Sequence, residues 1–174
     1  MKKTASLLVV VLVAALSMIA APASAGTGTS TRYVYRLAGP NVALATEFDE
    51  HHLPGDTIRL TGSGTFDTAS GVVSGTGSFT HFNADGTVHM SGEWVATGLV
   101  GFTSFGGPKP SQQGGVLQLS VMHVGDDGEP CPGGETDMSM TLTSVINAPA
   151  GTVGGVTTGP FGQPVSGAVV FGRA

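Results

Sequence analysis

The 174-residue chain contains 28 glycines and carries only 7 basic against 12 acidic side chains. A surface this poor in Lys and Arg argues against nucleic acid and against anionic membranes as partners. Glycine with abundant Thr, Ser and Val favours short strands and tight turns, and it excludes long helices, which need Leu, Glu, Lys and Ala in phase.

Residues 1–25 have the three parts of a secretory signal peptide. Two lysines give the positive start, residues 7–16 are an unbroken apolar run, and residues 23–25 (Ala-Ser-Ala) supply the small side chains for cleavage. The whole apolar stretch, residues 5–21, includes two serines and falls short of the ~20 residues that span a bilayer. We therefore predict cleavage after Ala25, export, and a mature form with no membrane span.

Without this signal the chain keeps 149 residues, with five basic against twelve acidic side chains and a net charge of −7. That length is enough for one domain with its own core. Residues 26–31 contain only Gly, Thr and Ser and predict a flexible lead-in, which leaves residues 32–174 for the domain. Cys131 is the one cysteine, so no internal disulfide is available and the core alone must hold the fold.

Period-two alternation of apolar and polar residues recurs from Tyr33 onward, with turn signals between the runs. In residues 57–66, for example, the even positions are apolar or glycine and the odd positions are polar. Similar alternation marks residues 71–81, 87–97, 116–124, 136–145 and 165–171. About eight strands in ~140 residues, without helical periodicity, predict an all-β domain.

We predict a single antiparallel up-and-down β-barrel of about eight strands, because inward glycines on neighbouring strands favour strong curvature. A β-sandwich is the alternative. In shape such a barrel is similar to the small calycin and allene-oxide-cyclase barrels. That likeness concerns the fold and implies no function.

The turn at residues 83–86 (Asn-Ala-Asp-Gly) tests the register of one hairpin. A three-residue loop would set His81 opposite His89 and would mix polar and apolar side chains on each face. A two- or four-residue loop instead sets His81 opposite Met90 and keeps one face apolar. We therefore predict the second register, with His81 pointing inward and His89 outward.

The same register pairs Gly77 with Trp94, and a four-residue loop at residues 67–70 would pair Gly62 with Gly75. An inward patch of glycines would then lie beside Trp94. Since glycine has no side chain to pack, either Trp94 fills the gap or a cavity remains in which a ligand lies against bare backbone. We favour the filled interior.

No nucleophile elbow, zinc-protease motif, Walker loop or paired-cysteine spacing occurs, and no motif implies a cofactor. The candidate ligand-binding residues are therefore Trp94, His81 and His123. Parity places both histidines on the apolar side of their strands, near the strand ends. Together at a barrel mouth they would suit ligand orientation or proton transfer. The simpler interpretation is one unrelated histidine at each edge.

Residues 47–56 combine His51 and His52 with four carboxylates, which are groups that bind zinc or copper. Adjacent side chains on an extended chain point opposite ways, so these two histidines would rarely share one ion. We predict a solvated loop and no metal site.

Residues 125–137 carry five carboxylates around Cys131, which lies between two prolines. Their order does not match an EF-hand, so we predict a solvated loop here as well. The prolines have no N–H groups and prevent regular strand pairing in the loop, so we expect Cys131 to be accessible. This predicts a monomer that forms a disulfide dimer through Cys131 on oxidation.

Two functions from different classes remain. The first is an exported, non-catalytic β-barrel module that binds an apolar small molecule or a surface partner. The second is a small secreted barrel enzyme in which His81 or His123 works with a loop carboxylate at the mouth. The absence of catalytic motifs favours the first. The apolar inward face that supports it comprises Leu60, Phe66, Phe79, Met90, Met138, Met140 and Leu142.

Overall fold

The computed structural model describes residues 31–131 and 138–174. The strands are β1 (Arg32–Leu44), β2 (Thr57–Leu60), β3 (Ser63–Asp67), β4 (Val73–Phe82), β5 (Val88–Lys109), β6 (Gln112–Gly125), β7 (Met138–Ser144), β8 (Gly155–Thr158) and β9 (Gln163–Arg173). The predicted signal peptide, and the lead-in up to residue 30, lie outside the described residues. In the described part, no helix has the length and apolarity to cross a bilayer.

These strands form one antiparallel sheet that follows the chain order and closes partly into a ring. Both β1 and β4 pair with β2 and with β3, so β2 and β3 act as one strand interrupted at residues 61–62. From β4 to β8 each strand pairs with the next. At the end of the chain β9 returns to pair with β1, and it meets β6 at Gln113 and Phe171. The predicted all-β antiparallel barrel is confirmed at this level.

The alternation of apolar and polar residues does not predict two parts of the sheet. Strand β5 runs for 22 residues, past the predicted end of its run at residue 97. Register shifts interrupt its pairing with β6 beyond Ala96, and each irregularity breaks the period of two by which a strand is recognised. Strand β8 has only 4 residues, too few to show a pattern.

The hairpin of β4 and β5 has the predicted register. His81 lies opposite Met90 and Gly77 lies opposite Trp94. His81 is buried and His89 is exposed, as expected. The hydrophobic pattern therefore determined this register correctly, since the loop is short and one face had to be buried.

The pairing of β3 with β4 differs from the prediction by two residues. Gly75 lies opposite Gly64, where Gly62 was expected. The loop closes at Gly71, whose φ of 72° is the left-handed conformation that glycine adopts readily. Its N–H donates to the Asp67 carbonyl over 2.9 Å. The loop thus occupies residues 68–71, and the inward face is unchanged because a shift of two preserves parity.

Side chains at alternate positions of the strands fill the inside of the sheet. The aromatic part of this core includes Phe66, which stacks on Tyr33 with ring centroids 5.0 Å apart and contacts Phe102 at 4.8 Å. The largest fully buried apolar side chains are Trp94, Tyr35, Phe66, Phe171, Leu60, Leu117, Leu119, Met140 and Leu142.

Candidate functional site

Trp94 covers part of the inward glycine patch. A Cβ atom added to Gly77 would lie 2.6 Å from Trp94 Nε1, and one added to Gly62 would overlap the same ring. Trp94 is fully buried, and its indole N–H donates to the Thr61 carbonyl over 2.8 Å. At this patch, the predicted filling by Trp94 is confirmed, and the inner side of Gly62 and Gly77 is occupied by its ring.

Tyr35, which parity alone did not single out, covers the rest of the patch. It lies opposite Gly64 on the neighbouring strand, and a Cβ on that glycine would be 2.5 Å from its hydroxyl oxygen. A Cβ on Gly75 would overlap the hydroxyl. This hydroxyl has no hydrogen-bond partner among the described residues, and burial raises the pKa of Tyr35. Recognising this role from sequence would have required the long-range pairing of β1 with β3.

Three imidazoles, those of His52, His81 and His89, meet at one end of the sheet and are called the histidine cluster below. The rings of His52 and His81 stack at 5.3 Å with only 9° between their planes. The His89 ring lies 4.7 Å from His81. Phe161, from the β8–β9 connection, presents its edge to His81 at 5.0 Å and to His52 at 5.4 Å. The cluster thus joins the β1–β2 loop, β4, β5 and the β8–β9 connection.

A buried carboxylate, Asp56, supports this cluster. Its Oδ2 lies 3.3 Å from His81 Nε2 and accepts the Leu53 N–H over 2.8 Å, while Oδ1 accepts the Ala84 N–H over 2.9 Å. Burial raises the pKa of Asp56. These hydrogen bonds together lower it by more than burial raises it, so the net pKa lies below its ordinary value. Asp56 therefore stays ionised and ties the loop before β2 to the β4–β5 turn.

His81 itself is held neutral. Burial lowers its pKa most, the hydrogen bond that His81 donates to Asp56 opposes that effect, and the nearby His89 and His52 lower the pKa again. The net pKa of His81 is below its ordinary value. With its ring almost fully covered, His81 offers little surface to a substrate.

The side chains of the adjacent His51 and His52 have different partners, although the segment is turned and not extended as expected. His52 Nδ1 lies 2.9 Å from Asp49 Oδ1, which also accepts the N–H groups of His51 and His52. The side chain of His51 is exposed and lies 3.5 Å from Glu50. Across residues 31–131 and 138–174, no three His, Cys, Asp or Glu side chains are arranged to hold a metal ion.

His123 lies apart from the cluster, on β6 opposite Trp94. Its ring packs against Phe79 at 4.8 Å, and its Nε2 has no hydrogen-bond partner in the described part of the chain. Burial lowers the pKa of His123 to about 4. Ring contacts join His81 to the cluster and His123 to Phe79, so the structure does not bring the two predicted histidines together.

The prediction that Cys131 is accessible is wrong, because its side chain is only 6% exposed. Its N–H donates to the His123 carbonyl over 3.1 Å, and Val124 and Pro130 form an adjacent antiparallel bridge. The segment therefore turns back along β6 and places Cys131 on the inner face beside His123. Proline removes only its own N–H, and it leaves that of Cys131 free to pair. The predicted disulfide dimer would need this segment to leave β6.

On the outside of the sheet, β3, β1 and β9 form an open groove of about 520 Å³. Val34, Val170 and Gly172 lie along it, and the exposed residues Arg36 and Arg173 flank it. Within the described residues, the ion pairs all involve histidine, so no carboxylate lies within ion-pair distance of either guanidinium. This outer groove is the second candidate site.

The fold and these sites define an all-β, antiparallel, barrel-like domain with a histidine cluster at one end and a basic-flanked groove outside. Comparison of the chain with family models, with curated proteins and with solved structures gives no match.

Proposed function

We propose that the protein is an exported, non-catalytic β-barrel module that binds a short acidic peptide segment of a partner protein in the outer groove. The observation that carries the proposal is that the guanidinium groups of Arg36 and Arg173 have no ion-pair partner among the described residues and lie beside an apolar floor. Arginine is enriched at protein interfaces because its planar fork suits carboxylates and it is weakly hydrated.

The positions of the groove residues favour an extended acidic segment. Val34 lies opposite Gly172 across the β1–β9 pair, and Arg36 lies two residues further along β1. Arg173 lies one residue beyond Gly172, so the two cations are three positions, roughly 10 Å, apart along the strands. A segment with an apolar side chain between two carboxylates matches this order. A long polyanion does not, because the net charge of −7 on the mature chain would repel it.

Two observations make the alternatives weaker. An apolar ligand would need bare backbone at the glycine patch, where Trp94 and Tyr35 already lie. An enzyme would use the His81–Asp56 pair, whose 3.3 Å separation is in the range of an acid–base pair in a resting site. However, Asp56 is occupied by two backbone N–H groups, and His81 is covered by the other rings of the cluster and by Phe161.

The test uses two synthetic peptides that differ only in charge: glutamates on both sides of a central leucine, or lysines in their place. We expect the mature protein to bind the glutamate peptide more tightly in isothermal titration calorimetry, and more weakly as salt is raised. Charge reversal in Arg36→Glu/Arg173→Glu should weaken binding at least roughly tenfold. Arg59→Glu, on the exposed side of β2, is the matched control and should change binding little.

Equal binding of the two peptides, or full binding by the double variant, would contradict the proposal. Binding to anionic phospholipid vesicles without peptide binding, lost in the same double variant, would assign the groove to a membrane surface and overturn the peptide assignment. Export is tested separately by intact-mass analysis of the secreted protein, which should begin at Gly26.

A further inference from the structure

We propose that the histidine cluster is an acid-sensitive latch that holds the β1–β2 loop, residues 45–56, on the end of the barrel at neutral pH and releases it on mild acidification. This latch is independent of the outer groove, which lies on β3, β1 and β9. It uses the four segments that meet around His81.

The loop is held to the barrel largely by groups that the cluster controls. His52 stacks on His81 and on the edge of Phe161, and Asp56 reaches His81 and the Ala84 N–H. Otherwise the loop is fixed by backbone bonds at its ends: Ala45 to Asp56, and Thr46 and Glu47 to the Pro160 carbonyl. Residues 46–51 are exposed. Loss of the ring stack therefore leaves the middle of the loop with few contacts.

Protonation works against the ring stack. The rings of His52 and His89 lie 5.3 and 4.7 Å from that of His81. Two neighbouring imidazolium ions at that separation repel one another, and their charge is poorly solvated where His81 is buried. Neutral rings, in contrast, stack without penalty.

The charged and titratable groups around the cluster decide how many protons it can hold. Asp56 faces His81 and Asp49 faces His52, so each of these two histidines has one carboxylate. His89, from β5, faces His81 and has no carboxylate contact in the described part of the chain. The remaining neighbour, Phe161, carries no charge. The three rings thus have two carboxylates between them, and His89 has none in the described part of the chain to balance a positive charge on the cluster.

The pH range follows from the direction of the shifts. His81 has a lowered pKa in the folded protein, so its contribution to loop closure is complete above the ordinary histidine value and is lost as the pH falls below it. Asp56 keeps its charge in this range, since its pKa lies below its already acidic ordinary value. Release as the pH falls below the ordinary histidine value would therefore come from imidazole protonation, with the carboxylate unchanged.

The latch is tested by hydrogen exchange of the mature protein at about pH 7.5 and about pH 5.5, corrected for intrinsic exchange rates. The Ala84 N–H donates to Asp56 Oδ1 and the Thr46 N–H to the Pro160 carbonyl, so both bonds join the loop to another segment. We expect these two amides to lose roughly tenfold or more of their protection at the lower pH, while the amides of β6 and β7 keep theirs.

Two variants separate the latch from a general acid effect. His52→Phe keeps an aromatic ring on His81 and Phe161 but takes up no proton, so the part of the loop's pH response that comes from repulsion between His52 and His81 should disappear. His51→Phe, at the exposed neighbouring position, should keep the full response. If His52→Phe disturbs the loop at neutral pH, His89→Gln, on the exposed side of β5, serves instead and should reduce the response.

Loss of protection spread evenly over all strands would overturn the latch, because acid would then unfold the whole sheet. An unchanged loop response in both His52→Phe and His89→Gln would overturn it as well.

Discussion

Strand β4 passes through two regions in which its inner face is packed in different ways. Its first half carries Gly75 and Gly77, which are covered by large rings from neighbouring strands. Its second half carries His81, which packs against other imidazoles and a carboxylate. Gly75, Gly77 and His81 all lie on the inner face of the sheet. The first region gains its stability from aromatic packing that hardly responds to pH near neutrality, and the second depends on the protonation state of its rings.

The largest expected effect tests the packed region. Trp94→Ala removes a fully buried indole and its hydrogen bond to Thr61, so the free energy of unfolding should fall by about 3–5 kcal/mol. Urea denaturation measures the change. Val95→Ala, on the outer side of the same strand, is the control and should cost well under that amount. A loss as small as that of the control would show that the aromatic cover carries little of the stability.

A second prediction asks whether the packed region also senses pH. His123 lies beside Trp94 and has a pKa of about 4 in the folded protein. The unfolded imidazole takes up its proton near its ordinary value, so this contribution is complete above about pH 6.5 and is lost as the pH falls toward 4. The loss amounts to roughly 3 kcal/mol.

Urea denaturation at several pH values measures this loss. His123→Leu, which takes up no proton, should flatten the curve of global stability against pH by about that amount. If global stability depended on pH equally steeply in the variant, the acid sensitivity of the whole fold would be assigned to the histidine cluster instead. Local release of the loop could then no longer be distinguished from global unfolding.

The close contact between the glycine patch and Tyr35 gives the third prediction. A Cβ at Gly75 would overlap the Tyr35 hydroxyl, so Gly75→Ala should cost about 1–3 kcal/mol. Tyr35→Phe removes a buried hydroxyl that has no partner among the described residues and should itself be close to neutral. In the Tyr35→Phe background, Gly75→Ala should cost less, by about 0.5 kcal/mol or more.

Gly98→Ala is the matched control for this pair, because its Cβ would meet only Ser120 at an ordinary 3.5 Å. Its cost should be small and the same in both backgrounds. Additive costs for Gly75→Ala and Tyr35→Phe would show that there is no steric repulsion between the added Cβ and the Tyr35 hydroxyl.

The smallest effect concerns Cys131, at the border of the two regions. Since the thiol is buried and burial raises its pKa, a thiol reagent should label the native protein only slowly and the urea-unfolded protein at once. Cys131→Ser should lower stability by about 1 kcal/mol, because a hydroxyl is harder to bury. Rapid, complete labelling at neutral pH would show that the segment after Pro130 leaves β6 readily.

Local features were predictable from the sequence, and long-range ones were not. The β4–β5 register followed from alternation across a short turn, whereas the β3–β4 register was wrong by two because Gly71, one residue further on, closes the loop. The cover of the glycines by Tyr35 depends on β1, far away in the chain.

The histidine cluster shows the same limit. Parity placed His81 inside and His89 outside correctly, yet their rings touch. A register shift next to His81 bends the end of the hairpin there. The partners His52 and Phe161 come from distant loops, and no local pattern links them to His81. The predicted accessibility of Cys131 is wrong because proline removes only its own N–H, and the Cys131 N–H still pairs with β6.

The overlap that a Cβ at Gly75 would make with the Tyr35 hydroxyl also limits which substitutions this chain can accept. Along β3 and β4, a Cβ at Gly64 would meet the Ser74 carbonyl and the Tyr35 ring, and one at Gly75 would meet the Tyr35 hydroxyl, whereas the outward positions between them already carry serine and threonine side chains. Substitutions should therefore be tolerated at every second position. A side chain at Gly75 should cost less after position 35 has lost its hydroxyl, so the order in which the two changes occur decides how much stability the chain loses at the intermediate step.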